Sequence, residues 1–393
     1  MAPTERKKRL RRLAELIDAH RDELALMDSM CMGVPISIAT NYCVQWAVNG
    51  FEWYGEAIDK IYDEVAPTDK SVVAMITREP VGVVAAVLPW NWPVGLLGWK
   101  VPPALAAGNS VVLKPDEQSS LSALRIAELA LEAGIPEGVF NVVTGGPRVG
   151  EAIGRHLDID VVGFTGSTEV GKLFLKYSAE SNMKQVWTEC GGKSPNIVFA
   201  DAPDLDETAR ESAMAIFINT GQVCAADPLL ADTLLGPIAK AAQLERVLSY
   251  IAVGQSEGAR LRLGGERINQ KSGGFFVEPT VFDTVDNTMR IAQEEIFGPV
   301  LSVISFRTTE EAIALANDTS YGLASAIWTR DLSKAHRVSR AIRAGSVSVN
   351  CYGADAHDVT VPFGGYKQSG FGRDKSLHAL DKYLQLKTTW IKL

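Results

Sequence analysis

Short apolar segments alternate with longer amphipathic segments from about residue 80 onward. The apolar segments are rich in β-branched residues, which favours strands covered on both faces. Strands that alternate with helices imply right-handed crossovers and a doubly wound parallel sheet of the α/β class. The predicted strands are Val81–Leu88, Asn109–Leu113, Val139–Val143 and Val161–Phe164. The first predicted helix follows the first strand and ends at Ala107, and the next three cover Ser119–Ala133, Arg148–Arg155 and Thr168–Ser178.

A second set of strand and helix patterns starts near residue 196 and predicts a further α/β unit. The terminal segment Tyr383–Leu393 is rich in strand formers, and a terminal strand of this kind often pairs with another subunit. The polar stretch Asp63–Lys70 is predicted to be a connector. The predicted strands of this unit are Asn196–Ala200, Val300–Phe306, Ala326–Thr329 and Ser346–Asn350, with helices Asp204–Ile218, Glu310–Asn317 and Ser333–Ile342.

The first residues predict an amphipathic surface helix with a solvated basic face. Leucine and isoleucine side chains recur at helical spacing, and Thr4 is a candidate N-cap. The acidic residues Glu5, Glu15 and Asp18 argue against a transit peptide, which is poor in acids.

Composition and charge exclude several classes of protein. The 393 residues are 46% hydrophobic and 22% charged, and the net charge of −8 argues against nucleic-acid or membrane-surface binding. No apolar run approaches the roughly 20 residues of a membrane helix. Five cysteines without a CxxC pair and five histidines without HExxH argue against a disulfide framework or a metal site. A reducing, cytoplasmic location is therefore expected.

Cys224 is the candidate nucleophile. It follows a predicted helix and a turn glycine, where a thiol can be partly exposed and activated as a thiolate. Most free cysteines are instead buried packing residues, and Cys31, Cys43 and Cys351 are interpreted in that way.

Glu189 is the candidate general base. It stands between apolar residues and a Gly-Gly turn, and a carboxylate buried there would have a pKa open to tuning. The same pattern equally fits a surface glutamate before a turn.

Two further segments follow predicted strands, where the carboxyl edge of a parallel sheet binds ligands. The turn at Gly166 and Ser167 opens a helix, and helix N-termini suit phosphate, although many such turns bind nothing. Lys114 and Glu117 could contact ribose hydroxyls or form a solvated turn.

The segment PWNWP (89–93) ends the first strand of the parallel sheet. Asn91 carries an amide donor where it could stabilise an oxyanion. Trp92, Leu96 and Trp99 recur at helical spacing, which fits either a core stripe or the wall of a substrate funnel.

Seven motifs together resemble the aldehyde dehydrogenase superfamily, from near residue 4 to the C-terminus. The C-terminal part resembles most the γ-glutamyl-γ-aminobutyraldehyde dehydrogenases of putrescine breakdown. The matching motifs are PWNWP (89–93), LKPDE (113–117), FTGSTEVG (164–171), TECGGKSPNIVF (188–199), NTGQVC (219–224), EEIFGPV (294–300) and PFGGYKQSGFGRD (362–374).

The resemblance implies a role for each matching residue. Cys224 would attack the aldehyde to give a thiohemiacetal, which loses hydride to NAD and leaves a thioester, and Glu189 would activate the water that hydrolyses it. Asn91 would hold the oxyanion. The implied cofactor residues are Lys114, Glu117, Gly145, Phe164, Gly166, Ser167, Val170, Glu295 and Phe297, and Trp92, Trp99 and Ile218 would line the aldehyde funnel. Glu117 favours NAD, with NADP as an alternative, because a carboxylate repels a 2′-phosphate.

The resemblance also implies three units and an oligomer. Residues 1–61 and 81–190 would form an NAD-binding domain, 191–380 a catalytic domain, and 62–80 with 381–393 the strands that join subunits into a homodimer or homotetramer. Members of the family carry an additional N-terminal stretch before this first helix.

One departure from the family concerns the segment after the nucleophile. The family continues with a strand and a long helix, whereas here Gly236 and Pro237 follow Cys224 within a dozen residues, as after an internal deletion beyond residue 226. A truncated, non-catalytic remnant that at most binds dinucleotide or partner subunits is therefore the alternative. Acyl transfer to coenzyme A is a third possibility, which Glu189 disfavours. Asp355 and Asp358 are weak candidates for attracting a cationic aminoaldehyde.

Overall fold

The computed structural model describes residues 1–224, 235–353 and 358–393. The predicted deletion lies beyond residue 226, in a segment that begins outside the described residues. Asp355 also lies outside the described residues. The strands are β1 Glu64–Ala66, β2 Val72–Pro80, β3 Val83–Val87, β4 Ser110–Lys114, β5 Phe140–Val142, β6 Val161–Thr165, β7 Gln185–Glu189, β8 Asn196–Val198, β9 Arg260–Leu263, β10 Arg267–Ile268, β11 Phe276–Val277, β12 Thr280–Asp283, β13 Val300–Ser302, β14 Ala324–Trp328, β15 Ser346–Val349, β16 Gly370–Phe371 and β17 Leu384–Lys392.

Helices cover both faces of the largest sheet. Several begin where the sequence offers a cap: Ser167 accepts a hydrogen bond from the N–H of Val170, and Asp204 accepts one from that of Glu207. The helices are α1 Pro3–Ala19, α2 Arg21–Met32, α3 Ile36–Ile38, α4 Val44–Ala57, α5 Pro93–Ala107, α6 Leu121–Glu132, α7 Pro147–Arg155, α8 Thr168–Ala179, α9 Leu205–Phe217, α10 Ala241–Ser256, α11 Arg290–Gln293, α12 Thr309–Asn317 and α13 Leu332–Ala341.

The largest sheet has six strands in the order β16-β7-β6-β3-β4-β5. The five strands from β3 to β7 run parallel, and β16 pairs antiparallel with β7. The order reverses around β3, so the carboxyl ends of β4 and β6 flank the segment that follows β3. This is the predicted doubly wound sheet, and its strand ends position the candidate site.

Two three-stranded sheets follow, in the orders β15-β14-β8 and β13-β12-β9. The first is parallel, and the second is mixed because β9 runs antiparallel to β12. The predicted strand Val300–Phe306 ends at Ser302. Its last residues are partly exposed, so the apolar pattern alone overestimated its length. Strands β10 and β11 form a separate antiparallel pair.

The terminal segment belongs to another three-stranded sheet, with the order β1-β2-β17. Strand β17 pairs antiparallel with β2 along its whole length, from Leu384 opposite Pro80 to Lys392 opposite Val72. The predicted connector Asp63–Lys70 contains strand β1, so that prediction was wrong in part; a three-residue strand of mixed polarity leaves no periodic signal.

Helix α1 is amphipathic as predicted, with Leu10, Leu13 and Ile17 buried. Its N-cap is Ala2 rather than Thr4, because Pro3 takes the first helical position. None of the helices in the described ranges combines the length and apolar character that a bilayer crossing requires.

Candidate active site

The turn that leads to Cys224 has a strained backbone. Asn219 and Thr220 have positive φ angles of 46° and 57°, which are rare for residues with a Cβ and rarest for a β-branched one. Gly221 follows with φ 71°, and a Cβ there would lie 2.1 Å from the carbonyl oxygen of Gly298. This close approach explains the glycine in the NTGQVC motif.

Asn91 holds this turn from the sheet side. Its amide nitrogen donates to the carbonyl oxygen of Gln222 at 2.9 Å, and the amide of Asn219 donates to the carbonyl oxygen of Asn91 at 3.0 Å. Cys224 is partly buried, and its own carbonyl oxygen lies 2.7 Å from where a Cβ on Gly192 would be. Cys224 therefore stands between the Asn91 segment and the turn that begins at Glu189.

Glu189 ends β7 and is buried, which excludes the interpretation as a surface glutamate. Neither carboxylate oxygen has a hydrogen-bond partner in the described parts of the chain. Burial holds the pKa of Glu189 well above its ordinary value, and the charge of Asp374 raises it further. Lys100, Lys382 and Arg373 oppose this shift. A raised pKa makes the carboxylate of Glu189 a stronger base, as a general base requires.

A buried charge network next to Glu189 was not predicted. Asp374 is fully buried and accepts hydrogen bonds from Lys100, at 2.8 Å, and from Lys382. The two lysines hold the pKa of Asp374 below its usual range. A lysine inside the apolar helix α5 and the final residue of the motif GFGRD were the available signals.

Lys114 and Glu117 lie at the carboxyl end of β4, as predicted. Lys114 donates to the carbonyl oxygen of Pro115 at 3.0 Å, and its ammonium is 4.0 Å from the half-exposed carboxylate of Glu117. Burial lowers the pKa of Lys114. A Cβ on Gly146 would still be 4.0 Å from Glu117, and Gly145 has a φ of 145°. This ledge at the strand end thus carries the ammonium of Lys114 and, half-exposed, the carboxylate of Glu117.

The turn between β6 and α8 carries four more of the predicted cofactor residues. Phe164 is buried, and a Cβ on Gly166 would lie 2.5 Å from its ring. The hydroxyl of Ser167 caps α8, and Val170 is 39% exposed in the first turn of that helix. The exposed helix end is the arrangement that accepts an anion.

Glu295 and Phe297 lie in the segment between α11 and β13. Glu295 accepts a hydrogen bond from the N–H of Gly192 at 3.1 Å, and burial raises its pKa to about 7. Phe297 has φ 61°, and its ring meets that of Trp90 edge to face at 5.4 Å.

Lys193, Gln243 and Arg246 fix this segment and were missed by the sequence analysis. Lys193 donates to the carbonyl oxygens of Ile291 and Glu294, and burial lowers its pKa to about 8. Gln243 donates to the carbonyl oxygens of Ile296 and Phe297, and Arg246 to that of Glu295. Side chains that donate to the backbone carbonyl oxygens of distant residues leave no pattern in a single sequence.

Trp92, Trp99 and Ile218 are buried in the largest core cluster, and Cys224 packs against the same cluster. Trp46 stacks between the two other tryptophans, with ring centroids 5.5 and 5.8 Å away. The tryptophans and the candidate nucleophile thus share one core cluster, and the role of the tryptophans as funnel walls stays a prediction.

The four other cysteines fall into two groups by burial. Cys43 and Cys190 are buried, and burial raises the pKa of both thiols, that of Cys190 to about 12. Cys31 and Cys351 are only partly buried, so their interpretation as buried packing residues was wrong.

Comparison with known proteins identifies the family of this arrangement. The aldehyde dehydrogenase family model matches the chain in two segments, residues 1–228 and 225–389. The chain belongs to the aldehyde dehydrogenase family. The change of segment falls directly after Cys224, where the sequence predicts the internal shortening.

Relatives match this aldehyde dehydrogenase over its whole length. NADP/NAD-dependent aldehyde dehydrogenase PuuC of Escherichia coli strain K12 is 50% identical over 421 positions, covering 100% of this chain and 84% of PuuC. Aminoacetaldehyde dehydrogenase of Pseudomonas aeruginosa is 49% identical, with 99% and 83% covered. The PuuC alignment is longer than the 393 residues of this chain, which supports an internal deletion.

Solved structures confirm the fold. An indole-3-acetaldehyde dehydrogenase in complex with NAD+ has a TM-score of 0.97 and 53% identity, with 100% of this chain and 85% of that chain covered. A γ-glutamyl-γ-aminobutyraldehyde dehydrogenase from Burkholderia cenocepacia J2315 has a TM-score of 0.96 and 52% identity over the same shares. The family and the fold class predicted from the motifs are confirmed.

Proposed function

We propose that this aldehyde dehydrogenase oxidises γ-glutamyl-γ-aminobutyraldehyde or a related aminoaldehyde to the acid, with NAD as cofactor and NADP as an alternative. The observation that carries the proposal is Glu189: it is buried, without a hydrogen-bond partner in the described ranges, and begins the turn that contacts Cys224. An unpaired buried carboxylate is costly, and a proton-transfer role explains why it is kept.

The residues divide the reaction between them. The sulfur of Cys224 attacks the aldehyde carbon, and the amide of Asn91 donates to the oxyanion that forms. When bound, the nicotinamide supplies the acceptor for the hydride. The resulting thioester on Cys224 is cleaved by a water from which Glu189 takes the proton, and the acid leaves. Lys100 and Lys382 carry two positive charges against the one negative charge of Asp374, and this excess limits how far the pKa of Glu189 rises.

The donor set at the strand ends fits a dinucleotide. Lys114 and Glu117 offer a donor and an acceptor for ribose hydroxyls, the exposed N-terminus of α8 at Ser167 suits a diphosphate, and Glu295 offers a carboxylate toward the second ribose. Gly145, Phe164, Gly166, Val170 and Phe297 would shape the same cleft.

The proposal includes the division into units. Residues 1–61 and 81–190 would form the NAD-binding domain, 191–380 the catalytic domain, and 62–80 with 381–393 the oligomerisation strands of a homodimer or homotetramer. Exposed apolar side chains on β17, among them Leu386 and Trp390, support this last role. A cytoplasmic location is proposed from the free cysteines.

A non-catalytic remnant is the second candidate, favoured by the two-segment match that breaks beside Cys224. Purified protein incubated with NAD and a panel of aldehydes separates the two. Formation of NADH that disappears in Cys224→Ala, while Cys31→Ala keeps it, supports the proposal. A wild-type protein that melts cooperatively and binds NAD but forms no more NADH than Cys224→Ala is the remnant.

A further inference from the structure

Lys240 connects two parts of the cofactor cleft that are far apart in sequence. It is the residue before α10, and its ammonium donates to both carboxylate oxygens of Asp116, at 2.9 and 3.0 Å. Asp116 lies between Lys114 and Glu117 on the ledge after β4. Both partners are largely buried, with 21% and 18% of their side chains exposed.

The same ammonium also lies over an aromatic side chain. Its nitrogen is 5.4 Å from the centre of the Trp90 ring, within the range of a cation–π contact. Trp90 in turn packs edge to face against Phe297, two residues after Glu295, whose carboxylate is proposed to face the second ribose. Lys240 therefore contacts the ledge after β4 directly and the Glu295–Phe297 segment through Trp90.

A dinucleotide places its diphosphate between its two ribose units. A residue that contacts both flanking parts of the cleft lies along that central stretch. Lys240 and Lys114 are close enough that the charge of Lys240 contributes to lowering the pKa of Lys114. Asp116 and Glu117 balance these two cations, so the four side chains together carry no net charge when no anion is bound.

We infer that Lys240 is a cofactor-binding residue whose ammonium shifts from Asp116 toward the diphosphate of the bound dinucleotide. An ammonium is a compact cation with rotatable donors on a flexible stem, so it can exchange one oxygen partner for another. The inference rests on the proposed function, because it needs the same cleft to bind NAD.

Lys334 offers a matched control in the other half of the molecule. Its ammonium donates to Asp201 at 3.0 Å and lies 4.8 Å from the centre of the Phe199 ring, with 22% of its side chain exposed. The local chemistry is the same as at Lys240, but it flanks the β15-β14-β8 sheet rather than the cofactor cleft.

The test is titration calorimetry of NAD, ADP and adenosine into the wild-type protein and the variants. Lys240→Ala should weaken NAD and ADP binding about tenfold, which is about 1.4 kcal/mol, and leave adenosine binding unchanged. Lys240→Arg should keep most of the affinity. Lys334→Ala should bind all three ligands as the wild type does.

Asp116→Asn separates a phosphate contact from a purely structural ion pair. It frees the ammonium, so NAD affinity should stay or rise; a loss equal to that of Lys240→Ala would overturn the inference. Unchanged NAD affinity in Lys240→Ala, or equal losses for adenosine and ADP, would each overturn it as well. A folded wild-type protein that binds no dinucleotide would overturn the proposed function itself.

Discussion

Replacing Asp374 by Asn tests whether the buried network next to Glu189 stabilises the fold. Asp374 is fully buried and receives one ammonium on each oxygen, from Lys100 and Lys382, which are 1% and 3% exposed. Asparagine has nearly the same volume and keeps one carbonyl acceptor. The substitution therefore removes the charge that compensates two buried cations, and its amide NH2 group leaves one of the two ammonium groups without an acceptor.

The expected loss follows from this burial. Removing one partner of a buried ion pair costs about 3–5 kcal/mol, because the remaining charge stays out of water without compensation. Two lysines lose their partner here, so we expect Asp374→Asn to fall in the upper part of that range. Since the native pKa of Asp374 is lowered, its contribution is fully present above the ordinary aspartate pKa and is lost as pH falls below it.

Urea unfolding at pH 7 and pH 3 measures this contribution. Asp283→Asn is the matched control, because Asp283 also pairs with two cations, Arg260 and Arg262, but on the surface. Exposed pairs contribute little, so this variant should unfold like the wild type. The reasoning is refuted if Asp374→Asn loses less than about 1 kcal/mol at pH 7, or if its loss is as large at pH 3.

Three further variants probe the site and the terminal sheet. Glu189→Gln should lower steady-state turnover about 100- to 10,000-fold. Because the raised pKa makes ionised Glu189 costly, it should also raise thermal stability above pH 5; unchanged turnover or a lower melting temperature contradicts this. In Gly191→Ala the new Cβ would lie 2.2 Å from Glu295, so kcat/KM for NAD should fall by up to about 100-fold with stability largely kept; kinetics like the wild type would argue against a cofactor role for Glu295. Leu386→Asp combined with Trp390→Asp should reduce the oligomer to a smaller species by light scattering, and an unchanged mass would show that this face is not an interface.

Four of the five strands of the parallel sheet, β3 to β6, could be predicted to within about two residues because each is a short apolar run. Val161–Phe164, for example, is a continuous apolar run bounded by polar residues, and the observed strand is Val161–Thr165. Strand β7 was missed, because the polar residues in QVWTE (185–189) interrupt its apolar pattern. The same rule fails for β1 and β16, which have three and two residues and no periodic pattern. Short edge strands form because a neighbour offers hydrogen bonds, and sequence patterns do not record that.

Site residues were predictable where a motif carried them and not where a distant partner made them important. Glu189 was equally compatible with the surface and the interior, and only its burial decides between the two. The pair of Lys100 and Asp374 joins positions 274 residues apart, and Lys240 looks like an ordinary surface lysine before a helix. The roles of such charged residues depend on contacts that form only in the folded chain.

The shortened segment after Cys224 bears directly on whether the site can work. Both sides of residues 225–234 are tied to one another: the hydroxyl of Thr220 donates to the carbonyl oxygen of Gly236 at 2.8 Å, and the N–H of Ala239 donates to the side-chain oxygen of Gln222 at 2.9 Å. Gln222 is also the residue that Asn91 holds. The strained turn before Cys224 is thus fixed by contacts outside the shortened segment. If that segment lacks a strand, we expect the unit that carries Cys224 to lose stability, while the position of the Cys224 sulfur is kept.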